Sequence, residues 1–242
     1  MTYQSVFKRY ELKYLLTLEQ KECILKAMSP YMRLDDYGKT VIRNIYFDTD
    51  TYRLIRHSIE KPTTYKEKLR IRSYKRSAPD DPVFVELKKK YKSVVYKRRL
   101  SMSESQAIDW ICKKIDCGQN SQIAREIDYF LRFYETLQPR VLLSYEREAY
   151  YALDGSDFRI TFDSQILCRE NGITLDSDIW GTPILDDETF LMELKTSGGI
   201  PLWMTSILSK EKIYKTPFSK YGTAYQRMQE NRREKERKVG IA

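Results

Sequence analysis

Apolar and charged side chains alternate along several short stretches of the chain, and one of these stretches centres on Arg70. Lys68, Arg70 and Arg72 share one face of an extended strand, whereas Leu69 and Ile71 share the other. Successive side chains of a β-strand point to opposite faces, so the alternation predicts a strand with one charged and one apolar face. A lone strand of this kind has its charges in water, and only recurrence along the chain would indicate a shared charged interior.

The alternation does recur, and it divides most of the chain into strands separated by turns. Strands are predicted over residues 7–14, 41–48, 65–74, 83–88, 94–100, 140–152, 158–163 and 190–196. A further short stretch, 166–170, is predicted to pair with the strand before it. Alternating strands are typical of antiparallel sheets, in which the two faces meet different environments.

Helical periodicity and capping residues predict the remaining elements. Thr17, followed three residues later by Gln20, has the spacing of a capping box and predicts a helix that runs to about Met28. Ser103 is an N-cap candidate for a second helix, and apolar residues at helical spacing predict a third from Ser121 to about residue 137. Shorter or more polar helices are predicted over 52–56, 201–208 and 220–238.

These elements predict one domain of the α+β class. The chain has 242 residues, no repeat of fixed period and no low-complexity linker, so we expect a single domain over residues 1–242. Within it we expect a helical insertion from about residue 101 to 138 and a charged C-terminal helix from about residue 220. The apolar strand faces need cover, which these helices provide if they pack on the outside of the sheet.

The charged strand faces carry both signs, with basic residues in excess. They contain Glu11, Lys13, Arg70, Arg72, Glu86, Lys88, Lys97, Arg147, Arg159, Glu193 and Lys195. If the sheet closes into a barrel with the helices outside, these side chains line its interior. Like charges crowded into a partly desolvated space repel one another, so such an interior requires a ligand of opposite charge.

The composition agrees with an anionic ligand. Lys and Arg number 43 against 34 Asp and Glu, a net charge of +9, which indicates a polyanionic partner such as a phosphate compound, a nucleic acid or a membrane surface. The four cysteines form no CxxC pair and His57 is the one histidine, so no Cys/His zinc site is expected. This cysteine usage predicts a cytoplasmic location. Neither a signal peptide nor a transmembrane helix is expected.

Basic and acidic residues have different predicted roles in such an interior. Arginine presents a planar fork to phosphate oxygens and lysine a point charge, so several of each around a tube suit a linear or triphosphate-like polyanion. Interspersed glutamates suit a divalent cation shared with the phosphates, in the hard-oxygen chemistry of Mg²⁺ or Mn²⁺. A structural ion pair is an open alternative for Glu11 and for Glu193 with Lys195, and a surface basic patch is one for Lys97.

The segments that carry a family resemblance extend over nearly the whole chain. They are FKRYELKY at 7–14, YFDT at 46–49, LRIRSY at 69–74, FVELK at 84–88, YER at 145–147, RITFD at 159–163, MELK at 192–195 and FSKY at 218–221. In this order and spacing they resemble the VTC domain, the polyphosphate polymerase domain of the vacuolar transporter chaperone complex. The resemblance implies the triphosphate tunnel metalloenzyme fold, an α+β architecture with about eight antiparallel strands around a tunnel and helices outside.

The resemblance also implies which residues bind the substrate. With Lys97 and Lys195 added from their strand faces, the implied phosphate-binding residues are Lys13, Arg70, Arg72, Lys88, Lys97, Arg147, Arg159, Lys195 and Lys220. Those expected to act in catalysis are Arg70, Arg72, Lys88, Arg147, Arg159 and Lys220. Glu193 matches the family's metal-binding glutamate, and Glu11 is a second candidate ligand for Mn²⁺ or Mg²⁺. Asp163 is expected to orient Arg159, and Lys68 to lie toward the tunnel mouth.

Transfer of the ATP γ-phosphoryl group to a growing inorganic polyphosphate chain is the function that the resemblance implies. Two alternatives stay open: hydrolysis of inorganic triphosphate or nucleoside triphosphates in the same tunnel, and non-catalytic binding of polyphosphate or another polyanion. ATP and polyphosphate are the expected partners, no specific nucleic acid is expected, and a protein partner is left open. Eukaryotic members carry regulatory and transmembrane segments that this sequence does not contain, so a stand-alone bacterial-type member is expected.

Overall fold

The computed structural model describes residues 10–60, 64–92 and 94–239 of the chain. Phe7 to Arg9, the N-terminal part of the first predicted strand, therefore lie outside the described residues. Within the described ranges the chain forms nine strands and six helices. All pairings between these strands are antiparallel, as predicted for the α+β class.

The strands belong to one sheet. They are β1 (Tyr10–Leu16), β2 (Met32–Asp48), β3 (Tyr65–Ser73), β4 (Pro82–Tyr91), β5 (Val94–Ser103), β6 (Gln138–Ala152), β7 (Arg159–Arg169), β8 (Thr182–Pro183) and β9 (Phe190–Thr196). Eight of them are neighbours in the order β1-β9-β7-β6-β2-β3-β4-β5, and β8 pairs with β7 outside this order. These eight neighbours are the eight strands that alternation predicts.

The helices begin near the positions that capping predicts. They are α1 (Leu18–Met28), α2 (Arg53–Ile59), α3 (Glu104–Lys113), α4 (Gln122–Phe133), α5 (Leu202–Lys210) and α6 (Lys220–Val239). Thr17 and Ser103 each form a complete capping box at the start of α1 and α3, and Ser121 caps α4. The prediction that α4 reaches residue 137 was wrong, because α4 ends at Phe133 and Tyr134 leaves the helical conformation, at φ −107° and ψ 75°.

The apolar strand faces point outward and are covered by helices. On β3 and β4, Leu69 and Val85 are buried against Trp110 of α3 and Ile127 of α4. A second apolar cluster packs α1 and α5 against β1, β7 and β9, with Leu194 at its centre. Each fully buried side chain of this size contributes about 1.5–3 kcal/mol relative to an exposed one. This burial determines which face of each strand is outside and leaves the charged face for the interior.

The sheet curves until its two ends approach each other across the charged interior. Among the described residues, no backbone pairing joins the terminal strands β1 and β5. Side chains span the interior instead, since Nζ of Lys88 on β4 lies 3.5 Å from Oε2 of Glu11 on β1. The architecture is the predicted α+β tunnel, with helices packed outside.

The start of α6 is anchored against the interior face of the sheet. Tyr221 is buried, and its ring stacks on Tyr46 of β2 with the ring centroids 4.7 Å apart. Its hydroxyl donates a hydrogen bond to Asp48, whose carboxylate also accepts amide hydrogens from the first turn of α2. These contacts hold α6 to β2 and α2, and they place the neighbouring Lys220 in the interior.

Two strands are longer than predicted because of local irregularities. Residues 166–170 were predicted to form a separate strand, but β7 continues through them as far as Arg169. A bulge at Gln165, where φ is 46°, gives β7 one extra residue opposite β6 and reverses the alternation of its faces. On β2, a register shift that contains Gly38, at φ 59°, allows pairing with β6 to begin at Met32.

Candidate functional site

Strand register aligns the predicted basic residues in rows across the interior. Two rows cross β3, β4 and β5, and read across the strands they are Arg70–Glu86–Arg99 and Lys68–Lys88–Lys97. Residues two positions apart on a strand share a face and are separated by about 6.7 Å. The interior therefore presents successive rows of charge along its length.

Glu86 is the centre of the first row and is almost completely buried, with 1% of its surface exposed. Its Oε2 lies 2.8 Å from Nε and 2.6 Å from Nη2 of Arg70. Its Oε1 lies 2.7 Å from Nε of Arg99 and 2.8 Å from Nζ of Lys97. Burial alone raises the pKa of Glu86, but Arg70, Arg72, Lys97 and Arg99 lower it well below the usual range. Glu86 therefore stays ionised and holds several cations in place.

Tyrosine and asparagine side chains orient the two arginines of β3. Nη1 of Arg70 donates to the hydroxyl of Tyr46 at 2.9 Å. Arg72 donates from Nε to Oδ1 of Asn44 at 2.9 Å and from Nη2 to the hydroxyl of Tyr145 at 3.2 Å. Burial raises the pKa of Tyr145, but the neighbouring cations outweigh burial and lower it to about 8. The guanidinium groups are thus positioned before any ligand binds.

A second acidic centre lies on β7. Asp163 is fully buried and pairs with Arg147 of β6 through two contacts, Nε to Oδ1 at 2.5 Å and Nη2 to Oδ2 at 2.6 Å. Lys220, from the start of α6, also pairs with Oδ2. The prediction that Asp163 orients Arg159 was wrong, because the register places Asp163 opposite Arg147. Although burial favours the neutral acid, Arg147 and Lys220 lower the pKa of Asp163.

Glu193 of β9 lies beside this pair and contacts four cations at longer distances. Lys195 and Arg147 approach Oε2 at 3.1 and 3.4 Å, and Lys220 and Lys13 approach Oε1 at 3.2 and 3.6 Å. Burial raises the pKa of Glu193, but these four cations lower it well below its usual value. Glu193 therefore remains a carboxylate in the interior.

Glu11 of β1 completes the acidic set. Its Oε1 lies 3.3 Å from Nζ of Lys13, and its Oε2 lies 3.5 Å from Nζ of Lys88. Burial by itself raises the pKa of Glu11, and so does Glu193, but Lys88, Lys13 and Lys195 lower it to about 2. Lys13 contacts both Glu11 and Glu193, so these two carboxylates lie on either side of one ammonium group.

The four carboxylates differ in their capacity to bind a cation. Both oxygens of Glu86 and of Asp163 are engaged by contacts of 2.8 Å or less, so their lone pairs are occupied. The oxygens of Glu11 and Glu193 have longer contacts, of 3.1–3.6 Å, so these two carboxylates are held less tightly by their cations. Among the described residues no three acidic, His or Cys groups form a metal site on their own. Two carboxylates combined with substrate oxygens suit Mg²⁺ or Mn²⁺, so Glu11 and Glu193 fit the predicted metal role.

The remaining predicted residues occupy different depths of the tunnel. Lys97 lies on the interior face and contacts Glu86, whereas the adjacent Arg98 points outward and pairs with Glu126 of α4. Arg159 stands at the first position of β7 opposite Lys195, is exposed, and makes no ion pair with any residue in the described ranges. Arg159 is therefore solvent-exposed, and the register places it in one row with Lys195 and Glu11.

Three interior residues were missed by the site prediction. Glu86 and Arg99 form the first row, and their position on charged strand faces was the available signal. Lys68 was expected at the tunnel mouth, but its Nζ donates to Oγ of Ser219 at 2.9 Å, beside the start of α6. The alternation of faces along each strand could not assign these roles, because they depend on which strands face each other.

The interior carries a large excess of positive charge. Its four carboxylates, Glu11, Glu86, Asp163 and Glu193, face eleven cations. These cations are Lys13, Lys68, Arg70, Arg72, Lys88, Lys97, Arg99, Arg147, Arg159, Lys195 and Lys220. Crowded like charges at low dielectric repel one another, so an interior of this charge suits an anionic ligand.

Comparisons with known proteins agree with this geometry. A family model described as the VTC domain matches residues 8–229. A protein from Bacillus halodurans proposed to be an adenylate cyclase has 16% sequence identity and a TM-score of 0.53, covering 89% of this chain and 96% of its own. HpAC1 from Hippeastrum, proposed as an adenylyl cyclase and found to have a dominant triphosphatase activity, has 15% identity and a TM-score of 0.52, covering 89% and 94%. These similarities show a shared fold. No curated protein sequence matches the chain.

None of the helices in the described ranges combines the length and the apolar character that a membrane crossing requires. α6 has 20 residues, the greatest length among them, but its sequence is rich in charge.

Proposed function

Since this chain belongs to the VTC domain family, we propose that it is an enzyme that transfers the γ-phosphoryl group of ATP to the end of an inorganic polyphosphate chain, releasing ADP. The family match confirms the resemblance identified from the sequence. The observation that carries the proposal is the excess of cations over carboxylates along the interior faces of β1, β3–β7 and β9. A cytoplasmic location, where ATP is available, belongs to the same proposal.

A linear polyphosphate suits the arrangement of charge in this tunnel. The row that contains Arg70 and Arg99 and the row that contains Lys88 are separated by about 6.7 Å along the strands. Successive rows can therefore bind successive parts of one extended anion. Aromatic side chains that stack on bases are typical of proteins that bind single-stranded nucleic acid. The interior tyrosines Tyr46 and Tyr145 are instead engaged with arginines and with Tyr221.

The proposed reaction requires positioning and charge neutralisation more than covalent chemistry. A terminal oxygen of the polyphosphate acceptor attacks the γ-phosphorus of ATP, and the bond from that phosphorus to the β-phosphate oxygen breaks, so ADP leaves with the electron pair. The acceptor oxygen is already anionic, so no general base is needed. This agrees with an interior lined by arginine and lysine rather than histidine.

The arginines and the lysines have different roles in this proposal. Guanidinium groups orient phosphate oxygens in two-point contacts, and ammonium groups add charge at single oxygens. The arginines proposed to hold the donor and acceptor phosphates are Arg70, Arg72, Arg147 and Arg159. The lysines proposed to add charge around them are Lys13, Lys88, Lys97, Lys195 and Lys220. A Mg²⁺ or Mn²⁺ ion held by Glu193 and Glu11 would polarise phosphate oxygens as a Lewis acid.

Hydrolysis of triphosphate is the second candidate function. The same cations can hold triphosphate with water as the acceptor, and HpAC1, which shares the fold, has a dominant triphosphatase activity. Synthesis and hydrolysis differ in the acceptor and not in how the donor phosphates are bound. The charge of the tunnel therefore supports both, and family membership favours synthesis.

A product assay separates these functions. The protein is incubated with ATP and either Mn²⁺ or Mg²⁺, and long polyphosphate is resolved from orthophosphate by gel electrophoresis. We expect long chains together with ADP. Orthophosphate without chains would replace the proposal by triphosphatase activity. Binding of polyphosphate without any turnover would reduce the function to that of a polyanion-binding protein.

A further inference from the structure

Three lysines, Lys68, Lys88 and Lys97, lie side by side on the adjacent strands β3, β4 and β5, and one of them has no acidic partner among the described residues. Lys88 pairs with Glu11 at 3.5 Å, and Lys97 pairs with Glu86 at 2.8 Å. Lys68, opposite Lys88 in the register, makes no ion pair with any carboxylate in the described part of the chain. Like charges placed opposite each other on neighbouring strands destabilise a sheet. The charge of Lys68 is therefore not offset by any carboxylate in the described part of the chain.

The hydrogen bond to Ser219 leaves several donors unused. Oγ of Ser219 accepts from Nζ of Lys68 at 2.9 Å and from the backbone amide of Gly222 at 3.2 Å, so it also caps the start of α6. An ammonium group has three donors, and a hydroxyl that accepts two hydrogen bonds still has its own proton to donate. No further acceptor for Lys68 or for the Ser219 hydroxyl lies among the described residues. These are the groups that a phosphoryl oxygen requires.

We propose that Lys68 is a further phosphate-binding residue of the tunnel, positioned by Ser219, and that it takes up a proton when a phosphate chain binds. The proposal rests on the proposed function in one respect, namely that the tunnel binds a phosphate chain. It adds a binding residue that the site prediction did not contain. It also assigns a proton to the binding step.

The surroundings of Lys68 explain the proton uptake. Lys66 and Arg70 flank it on β3, Lys88 faces it from β4, and Lys13 faces it from β1; the start of α6 contributes the neutral Ser219. Burial, followed by the charges of Lys88, Lys13, Arg70 and Lys66, lowers the pKa of Lys68 to about 7. At pH 7.5 most Lys68 side chains are therefore neutral in the free protein. A polyanion beside the amine favours the charged form, so binding raises its pKa and draws a proton from solution.

The sign of the effect on stability distinguishes a binding role from a structural one. The pKa of this lysine is lower in the folded state than in the unfolded chain, so its amine lowers the free energy of unfolding at every pH below the unfolded pKa. The loss of stability is largest when the pH is at or below the folded-state pKa. Removing the amine should therefore stabilise the ligand-free protein near neutral pH. If the contact with Ser219 were structural, its removal would lower stability instead.

The test measures binding of inorganic tripolyphosphate by isothermal titration calorimetry at pH 7.5, without ATP or turnover. Titrations in two buffers of different ionisation enthalpy give the number of protons taken up. We expect Lys68→Met to weaken binding about tenfold, the value of one charge-assisted hydrogen bond. Lys68→Arg keeps the charge, so it should retain affinity but lose more than half of the proton uptake. The remainder is expected from Lys97, where burial lowers the pKa to about 8, and from Tyr145, whose pKa of about 8 is raised by a nearby anion.

Lys90→Met is the matched control. Lys90 lies on the same face of β4 as Lys88, two positions further along, but its side chain is exposed and the register places it opposite Lys66. We expect this variant to bind tripolyphosphate within about twofold of the unchanged protein, because exposed charges are screened by salt.

Each outcome bears on the proposal. Weaker binding by Lys68→Met, together with an unfolding midpoint equal to or above that of the unchanged protein, supports it. Equal affinities for Lys68→Met and the unchanged protein would overturn it while leaving the proposed function in place. Proton uptake that persists undiminished in Lys68→Arg would overturn the proton assignment. If the unchanged protein does not bind tripolyphosphate, both this inference and the proposed function are wrong.

Discussion

Oε2 of Glu86 lies 2.8 Å from Nε and 2.6 Å from Nη2 of Arg70, directly across the β3–β4 pairing. One carboxylate oxygen thus fixes the plane of a guanidinium that also donates to Tyr46. Because the other oxygen of Glu86 holds Lys97 and Arg99, a single buried acid keeps three cations oriented toward the interior. The stability of this cluster and its ligand affinity are therefore coupled.

Glu86→Gln should destabilise the protein when no phosphate compound is present. The substitution leaves Arg70, Arg72, Lys97 and Arg99 without their shared, buried counter-charge, and removing one partner of a buried ion pair costs about 3 kcal/mol. Urea unfolding would measure the loss of free energy. Added tripolyphosphate should raise the unfolding midpoint of this variant more than that of the unchanged protein, because the ligand supplies the missing negative charge.

Glu126→Gln is the control for that experiment. Glu126 pairs with Arg98 on the outer side of the sheet, where both side chains remain partly exposed. Such a pair contributes less than about 1 kcal/mol, so tripolyphosphate should stabilise this variant and the unchanged protein equally. An equal ligand response for Glu86→Gln and Glu126→Gln would contradict the coupling of Glu86 to the phosphate site.

Arg99→Ala and Arg98→Ala, two adjacent positions on β5, should differ sharply in activity. Arg99 belongs to the interior row with Glu86, whereas Arg98 points to α4. Loss of a positioned cation near a transferred phosphoryl group lowers the rate by about 100-fold, so we expect that decrease in kcat/KM for Arg99→Ala. Arg98→Ala should remain within about threefold of the unchanged enzyme. Similar rates for the two variants would mean that the interior face of β5 is not part of the site.

Glu193→Gln should change the dependence of activity on divalent metal. Its carboxylate is one of the two that neighbouring cations contact only at 3.1 Å or more, and an amide is a much weaker ligand for Mg²⁺ or Mn²⁺. We expect the metal concentration at half-maximal activity to rise by about tenfold, measured by titrating Mn²⁺ at saturating ATP. Glu148→Gln, which alters an acid paired with Lys21, should not shift the curve. An unchanged metal dependence in Glu193→Gln would exclude that residue as a ligand.

Acid should destabilise the ligand-free protein over a defined pH range. The folded-state pKa of Glu11 is about 2, and those of Glu86, Asp163 and Glu193 are also lowered by neighbouring cations. A carboxylate with a lowered folded pKa contributes stability that is complete above its unfolded pKa, about 4, and is lost as the pH falls through the folded pKa. Urea midpoints should therefore fall steeply between about pH 4 and pH 2.

The Asp163→Asn variant tests that origin. Asp163 forms the two-point pair with Arg147, so the variant should be less stable at pH 6 and should lose less additional stability between about pH 4 and pH 2. Its pH profile would be measured by urea unfolding at each pH. A profile parallel to that of the unchanged protein would assign the acid sensitivity to other groups.

The run Lys97–Arg98–Arg99 shows how far strand patterns predict a site. Alternation placed Lys97 and Arg99 on one face and Arg98 on the other, but three consecutive basic residues gave no apolar reference to decide which face was interior. The structure resolves this because Leu87, the partner of Arg98, is buried in the outer cluster with α3 and α4. Tertiary packing, rather than charge, assigned Lys97 to the tunnel.

Asp163 and Lys68 show the limit of the same method. Both were placed on the charged face from alternation, and both have partners from distant parts of the chain: Asp163 pairs with Lys220 of α6, and Lys68 donates to Ser219 at its start. Hydrogen-bond register and the position of α6 determine these contacts. Neither can be read from the residues surrounding Asp163 or Lys68.

The sequence by itself determined the class of the fold, its eight alternating strands, the helix caps and the division of each strand into an apolar and a charged face, because local sterics and periodic burial act over neighbouring residues. Only the tertiary structure decided how closely cations approach each carboxylate, since this depends on distances between side chains of different strands. It likewise decided that Glu86 and Asp163 hold their cations at short distances while Glu11 and Glu193 hold theirs at 3.1–3.6 Å. The physical reason is that electrostatic energy depends on the distances between charges and on their burial, and both are properties of the folded chain.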